Sequence, residues 1–264
     1  MAYFASLAAG DQPGGTAVLT FIEGLAADME GIAEDALTAD PTRWANALPR
    51  AARLVGSTAL AVGGGRFQSV LGAGLAGDSA TATDALVDTV ARLADTQRGE
   101  RDVIVVLPGP GRLLTKGVDA NTVKTTLVAL MERVCASRPA MVLLDERDDA
   151  VLDGTPCRRL AATLKNVADY YGVALGVRLL AVADPLAAIA ARRALRLDHL
   201  LIAEAVTGHA DCRAAATAAG WRSLGLAGAP VGVPAAGPGD TALWFAVSGS
   251  QGDIEMLKRA LAGS

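Results

Sequence analysis

Eight short apolar runs recur along this chain, each separated from the next by a longer segment, and this repetition constrains the fold more than any other feature. The runs are TAVLTFI (16–22), TALAVG (58–63), DVIVVLP (102–108), AMVLLDE (140–146), VALGVRLL (173–180), HLLIAEAV (199–206), SLGLAG (223–228) and TALWFAVS (241–248). They are rich in Val, Ile and Leu and mostly continuous in their apolar character, as expected of parallel strands covered on both faces. Several of the segments between them carry helical periodicity and recognisable ends. DPTRWANALPRAARLVG (40–56) opens with Asp40 as a cap and Pro41 in the first turn and stops at Gly56, with Pro49 expected to interrupt or kink it. DANTVKTTLVALMERVCAS, TPCRRLAATLKNVADYYG, DPLAAIAARRALR, HADCRAAATAAG and SQGDIEMLKRALAG repeat the scheme, four of the five opening with Asp, Thr or Ser.

Eight strand–helix alternations in 264 residues match the size and period of an α/β chain closed as a (β/α)8 barrel, in which catalytic groups sit at the C-terminal ends of the strands. A doubly wound open sheet is the competing arrangement. No linker or break in composition divides the chain, so a single domain over 1–264 is expected. Only 4% of residues are aromatic while 52% are hydrophobic, so the core must be built from close-packed small and branched aliphatic side chains.

A formal net charge of -4 without a Lys/Arg-rich run gives no electrostatic footprint for a phosphate backbone, and nucleic acid is not an expected partner. No apolar stretch reaches the length of a membrane span, and MAYFASLAAGDQPGG lacks the basic start and apolar core of a signal peptide, so a cytoplasmic protein with no membrane association is expected. Cys135, Cys157 and Cys212 are odd in number and far apart, which predicts free thiols. Two histidines, His199 and His209, leave little material for a His-rich metal site, and no metal ligand set is assigned. His209 and Cys212 stand three apart in HADC without a second pair, a spacing better explained structurally.

The candidate site residues cluster at strand ends. AMVLLDERDDAVLDG (140–154) passes from an apolar run straight into Asp145, Glu146, Arg147, Asp148 and Asp149. If 140–146 is the fourth barrel strand, Asp145 and Glu146 emerge at the catalytic face, whereas Asp148 and Asp149 read as the solvated start of a loop. Arg178 and Glu204 each lie inside an apolar strand, where a charge must be paired or face a polar cavity. Structural pairing between neighbouring strands would satisfy both, and a functional pair is the alternative. Glu23 ends the first strand. After the third strand, Gly109 and Pro110 in LPGPGRLLTKG (107–117) form a turn suited to a binding wall, or to any tight connection. GGGRFQSVLGAGLAGD (63–78) could cradle a phosphate, act as a mobile lid, or be a plain flexible loop; it is no P-loop, and Arg66 is its anion-binding candidate.

The order of these segments resembles the superfamily of uroporphyrinogen decarboxylase and the related cobalamin-dependent methyltransferases. The residues that carry the resemblance are LTFIEGLAADMEGIAEDALTADPTRWANALPRAARLVGSTALAVGGG (19–65), VIVVLPGPGRLL (103–114), MVLLDER (141–147), NVADYYGVALGVRLL (166–180), GWRSLGLAGAP (220–230) and LWFAVSGSQGDIEMLKRAL (243–261). The resemblance spans nearly the whole chain through order and spacing, and it implies a barrel and a homodimer. The chain departs from it in two places. The Arg-rich N-terminal segment of the decarboxylases is absent, since residues 1–18 contain no Arg. The His-x-Cys pair and later Cys of the zinc methyltransferases are replaced by GVRLLAV and FAVSGSQ.

Three functions are therefore expected, in order. The first is a metal-independent decarboxylase acting on a small anionic substrate without a cofactor, with Arg66 and Arg178 holding the carboxylate and Glu146 or Glu204 as proton donor, beside Asp145 and Glu23. The second is methyl transfer with a corrinoid protein or tetrahydrofolate as partner. The third is a barrel that serves as a non-catalytic binding or assembly subunit.

Overall fold

The structure is a computed structural model that describes residues 3–9, 17–76, 80–114, 117–148, 154–205, 208–228, 240–249 and 253–262; within these, for Arg147, Asp148, Glu204, Leu261 and several alanines it describes the backbone and not the side chain. The eight strands are β1 (Ala17–Phe21), β2 (Ala59–Val62), β3 (Asp102–Pro108), β4 (Met141–Asp148), β5 (Ala174–Ala181), β6 (His199–Ala205), β7 (Ser223–Ala227) and β8 (Ala242–Ser248). Each pairs in parallel with its neighbours in sequence and β1 pairs with β8, so the sheet closes into a (β/α)8 barrel. The helices are α1 (Tyr3–Ala9), α2 (Glu23–Glu30), α3 (Glu34–Thr38), α4 (Pro41–Val55), α5 (Phe67–Ala76), α6 (Thr81–Thr96), α7 (Pro110–Leu114), α8 (Ala120–Ala136), α9 (Thr155–Tyr171), α10 (Pro185–Arg192), α11 (His209–Ala219) and α12 (Ile254–Ala262). Among them none is long and apolar enough to cross a membrane.

The helix starts follow from side-chain capping. Asp40, Asp119 and Asp184 each accept hydrogen bonds from two backbone N–H groups of the first turn of α4, α8 and α10. α9 opens on Gly154 instead, with Thr155 as its first helical residue. Pro49 does not interrupt α4, which runs from Pro41 to Val55 and buries Pro49 against the core. Cys135, Cys157 and Cys212 are buried free thiols.

Strand alternation separates two apolar populations. Val18, Leu60, Val105, Val142, Leu144, Val177, Leu200 and Leu224 face outward into the main core with Trp44, Leu48 and Leu130 of the helices. Leu19, Ala61, Ile104, Val106, Leu143, Leu201 and Trp244 fill the barrel interior. The large Trp244 ring fits because its neighbour across β7 is a glycine: a Cβ on Gly225 would lie 2.5 Å from the ring. Phe4 closes the N-terminal end of the barrel, its ring edge-on to Trp244 at 5.1 Å and its backbone N–H donating to Asp102 Oδ2 at 2.7 Å.

Inside the same layer, Ser223 Oγ accepts from Trp244 Nε1 at 2.9 Å and pairs with His199 Nδ1 at 2.6 Å. His199 is fully buried, and that burial lowers its pKa to about 4. Its imidazole is therefore neutral in the fold while the unfolded chain takes up a proton below about pH 6.5. A depressed histidine contributes stability that is whole above that pH and is lost as pH falls toward 4. The expected result is a stability gap between wild type and His199→Gln that shrinks by roughly 3 kcal/mol between pH 7 and pH 4, measured by urea denaturation at each pH. A gap independent of pH would contradict a neutral buried His199.

Candidate active site at the C-terminal mouth of the barrel

The position of each charged group follows from strand parity. In β4, Met141 and Leu143 point into the barrel, so Asp145 does too, while Glu146 shares the outward side of Val142 and Leu144. In β5, Ala174 lies in the barrel cluster and Arg178 falls on the same parity. The register sets Asp145 beside Arg178 across the two strands.

Asp145 is the hub. Its Oδ2 accepts from Arg112 Nη1 at 2.6 Å, and its Oδ1 lies 3.3 Å from Arg178 Nη1. The side chains of Arg112 and Asp145 are 8% and 2% exposed, against 17% for Arg178, so Arg178 is the group of the three that reaches furthest toward solvent. Its guanidinium stacks over the Phe21 ring, with Cζ 4.2 Å from the centroid. That ring leaves no room on its other neighbour, since a Cβ on Gly64 would lie 2.6 Å from Phe21 Cδ1. Burial lowers the Arg178 pKa and Asp145 opposes that shift. The Nε–H of Arg178 is buried without an acceptor among the described residues, so one edge of this fork is uncommitted.

Glu146 serves a different neighbour. Its Oε1 accepts from Gly111 N and its Oε2 from Arg112 N, both at 2.8 Å, so it receives the first turn of α7. A Cβ on Gly109 would run into the Glu146 carboxyl, which explains the glycine, and Gly109 N is itself tied to Asp145 O at 2.9 Å. Pro110 is buried at the first position of α7. The Gly-Pro turn therefore clamps the helix that carries Arg112. Desolvation raises the Glu146 pKa to about 7, opposed by the two backbone N–H groups.

Glu23, the first residue of α2, is buried, and its Oε1 accepts from Gly63 N at 2.7 Å. Desolvation pushes its pKa well above the usual carboxylate range; the Gly63 N–H opposes this and Glu34 adds to it. The Gly-rich run after β2 is neither an open phosphate cradle nor a long loop. Residues 67–76 are α5, and the turn before it is occupied by the chain's own carboxylates, with Arg66 N donating to Glu34 Oε1 at 2.9 Å. Gln68 Nε2 fastens the turn further by donating to the carbonyls of Gly63 and Val106. Residues 77 and 78 of that run lie outside the described residues.

The structure thus brings Asp145 and Arg178 together, with Glu23 close enough to act on the charge of Arg178. The Arg66 side chain is exposed and makes no ion pair among the described residues. The side chains of Glu204 and Asp148, and all of Asp149, lie outside the described residues. His209 packs edge-on against Phe245 at 5.3 Å and Cys212 is buried. Among the described residues no three His, Cys, Asp or Glu side chains gather as a metal-holding group. Sequence reasoning missed Arg112 and Phe21. Arg112 follows the Gly-Pro turn at the C-terminal end of β3, and this placement is the signal that could have found it.

No family model and no curated protein matches this sequence significantly. Among solved structures, a methyltransferase from Methanosarcina mazei superposes with a TM-score of 0.69 at 9% identity, covering 98% of this chain and 95% of that one. A 2,3-dimethylmalate lyase of the PEP mutase/isocitrate lyase superfamily gives 0.53 at 14% identity, over 93% of this chain and 81% of that one. The 3-keto-L-gulonate-6-phosphate decarboxylase of Vibrio cholerae O1 biovar El Tor gives 0.51 at 12% identity, over 94% and 95%. At these identities the likeness is one of fold.

Proposed function

We propose that the chain is an enzyme whose substrate is a small carboxylic acid held at the C-terminal mouth of the barrel, and that the reaction is a decarboxylation. The observation that carries this reading is the uncommitted edge of Arg178. A guanidinium in a mostly buried site, with one carboxylate at 3.3 Å and an Nε–H without an acceptor among the described residues, has a planar fork from which a substrate carboxylate or developing enolate oxygen can accept. The surrounding layer of Asp145, Arg112 and α7 fixes that fork in advance, so that little reorganisation accompanies binding.

Glu23 supplies the proton. Burial pushes its carboxyl well above the usual carboxylate range, which favours the protonated state that a general acid needs. In the proposed reaction the carbon–carbon bond to the departing carboxylate breaks, and its electron pair passes to an adjacent carbonyl to give an enolate beside Arg178. Carbon dioxide leaves as that bond breaks, and the enolate carbon then takes the Glu23 proton, which solvent restores. Glu146 acts through α7 as a positioning residue for Arg112.

The test is a carbon dioxide release assay over a panel of small 3-keto acids. Glu23→Gln retains an oxygen to accept from Gly63 N but carries no acidic proton, so kcat should fall on the order of 100-fold or more with KM little changed. Unchanged turnover in that variant would remove Glu23 from the reaction. If no acid releases carbon dioxide while a methyl group passes to an added corrinoid or tetrahydrofolate acceptor, methyl transfer replaces decarboxylation; inertness in both assays would point to a binding subunit.

A further inference from the structure

The end of the barrel opposite the mouth carries a cavity of about 280 Å³ between the loop that leads from α6 into β3 and the loop that leads from α8 into β4. Arg98, Arg101 and Arg138 all line it, together with Gly99, Asp102 and Pro139. β3 runs from Asp102 at this cavity to Pro108 at the mouth, a separation of roughly 20 Å at the usual rise per residue.

The three arginines differ in their commitments. Arg101 is fixed, its Nε donating to Ser57 O at 3.0 Å and its Nη1 to Gln97 Oε1 at 3.0 Å, with Glu100 Oε2 at 3.3 Å. Arg98 and Arg138 are exposed and make no ion pair among the described residues. Opposing charge is present but smaller. Asp102 is buried and already accepts from Phe4 N at 2.7 Å, Glu100 is engaged by Arg101, and the ends of α6 and α8 each contribute about half a negative charge. Guanidiniums at two helix ends are ordinary dipole partners; three of them lining one cavity of this size are more than that interaction needs.

We propose that this cavity is a second ligand site, for a small phosphate monoester. A planar carboxylate is satisfied by one guanidinium fork, whereas a tetrahedral phosphate dianion has oxygens enough to accept from three arginines approaching from different loops. A ligand there would link the α6–β3 and α8–β4 loops. Through Asp102 it would also bear on α1, the helix that closes this end of the barrel. The site is independent of the proposed reaction at the mouth.

Isothermal titration of the full chain with inorganic phosphate, at constant ionic strength and with chloride as the reference anion, tests this. The variants are the double substitution Arg98→Gln with Arg138→Asn, asparagine being chosen because residue 138 has φ of +52°, and separately Arg178→Gln. Wild type and Arg178→Gln should show a saturable phosphate site that weakens at least 10-fold in the double variant, whose circular dichroism should be unchanged. Absence of saturable binding, full retention in the double variant, or loss only in Arg178→Gln would overturn the proposal. The last outcome would assign the phosphate to the mouth and leave the substrate reading standing.

Discussion

Replacing Asp145 with alanine is expected to destabilise the protein by about 3–5 kcal/mol, enough to unfold much of it at 37 °C. Asp145 is 2% exposed and lies between two arginines, Arg112 at 2.6 Å and Arg178 at 3.3 Å. Removing the carboxylate takes from both guanidiniums the buried partner that lies between them. Asp145→Asn should cost less, because an amide oxygen can still accept from Arg112. A surface pair provides the contrast: Arg50 and Glu30 also make a short ion pair, but Arg50 is 53% exposed, and Arg50→Ala should change stability by less than about 1 kcal/mol. Urea denaturation of the three variants beside wild type measures all of these shifts. A loss of under 1 kcal/mol in Asp145→Ala would mean that the cluster is solvated and not an organised part of the mouth.

A large effect on activity is also expected at Arg178. Arg178→Gln leaves the Arg112–Asp145 pair in place, so the fold should persist. Removing the fork should lower kcat/KM on the order of 100-fold or more for any acid that the enzyme turns over, the consequence of losing one buried charged contact of about 3 kcal/mol. Arg178→Lys should not restore it. An ammonium keeps the charge but loses the planar pair of donors and the stacked contact with Phe21 seen at 4.2 Å. Steady-state kinetics on both variants checks this, and recovery in Arg178→Lys would show that charge alone suffices.

Much of the barrel is legible in the sequence. The eight apolar runs coincide with the eight strands to within two residues at either end, because a strand covered on both faces must be apolar along its length. Asp40, Asp119 and Asp184 announced their helices through cap chemistry that needs no tertiary context. Pro49 does not end α4, because the core that buries this helix outweighs the local cost of a proline inside it.

The site was only partly legible, for a geometric reason. Asp145 and Glu146 are adjacent in sequence, yet the pleat sends one into the barrel and the other beneath α7. Parity was available in MVLLDE and ALGVR, since counting back by twos from Asp145 and Arg178 reaches Leu143 and Gly176. The partners of Glu146 are backbone N–H groups, and no side-chain pattern reveals them. The Gly-rich turn looked like an anion cradle because glycines do expose N–H groups. The sequence carried no sign that Glu23 and Glu34, 40 and 32 residues away from their donors, would occupy it.

The central claim is that the mouth recognises a carboxylate through Arg178. Its most direct test is to compare the binding of each small acid in the panel with that of its uncharged carboxamide, by calorimetry on wild type and Arg178→Gln. At least one acid is expected to bind saturably to wild type and at least 10-fold more weakly to Arg178→Gln, with a carboxamide that does not bind. An acid and amide that bind alike, or acid binding that is indifferent to Arg178, would contradict the claim.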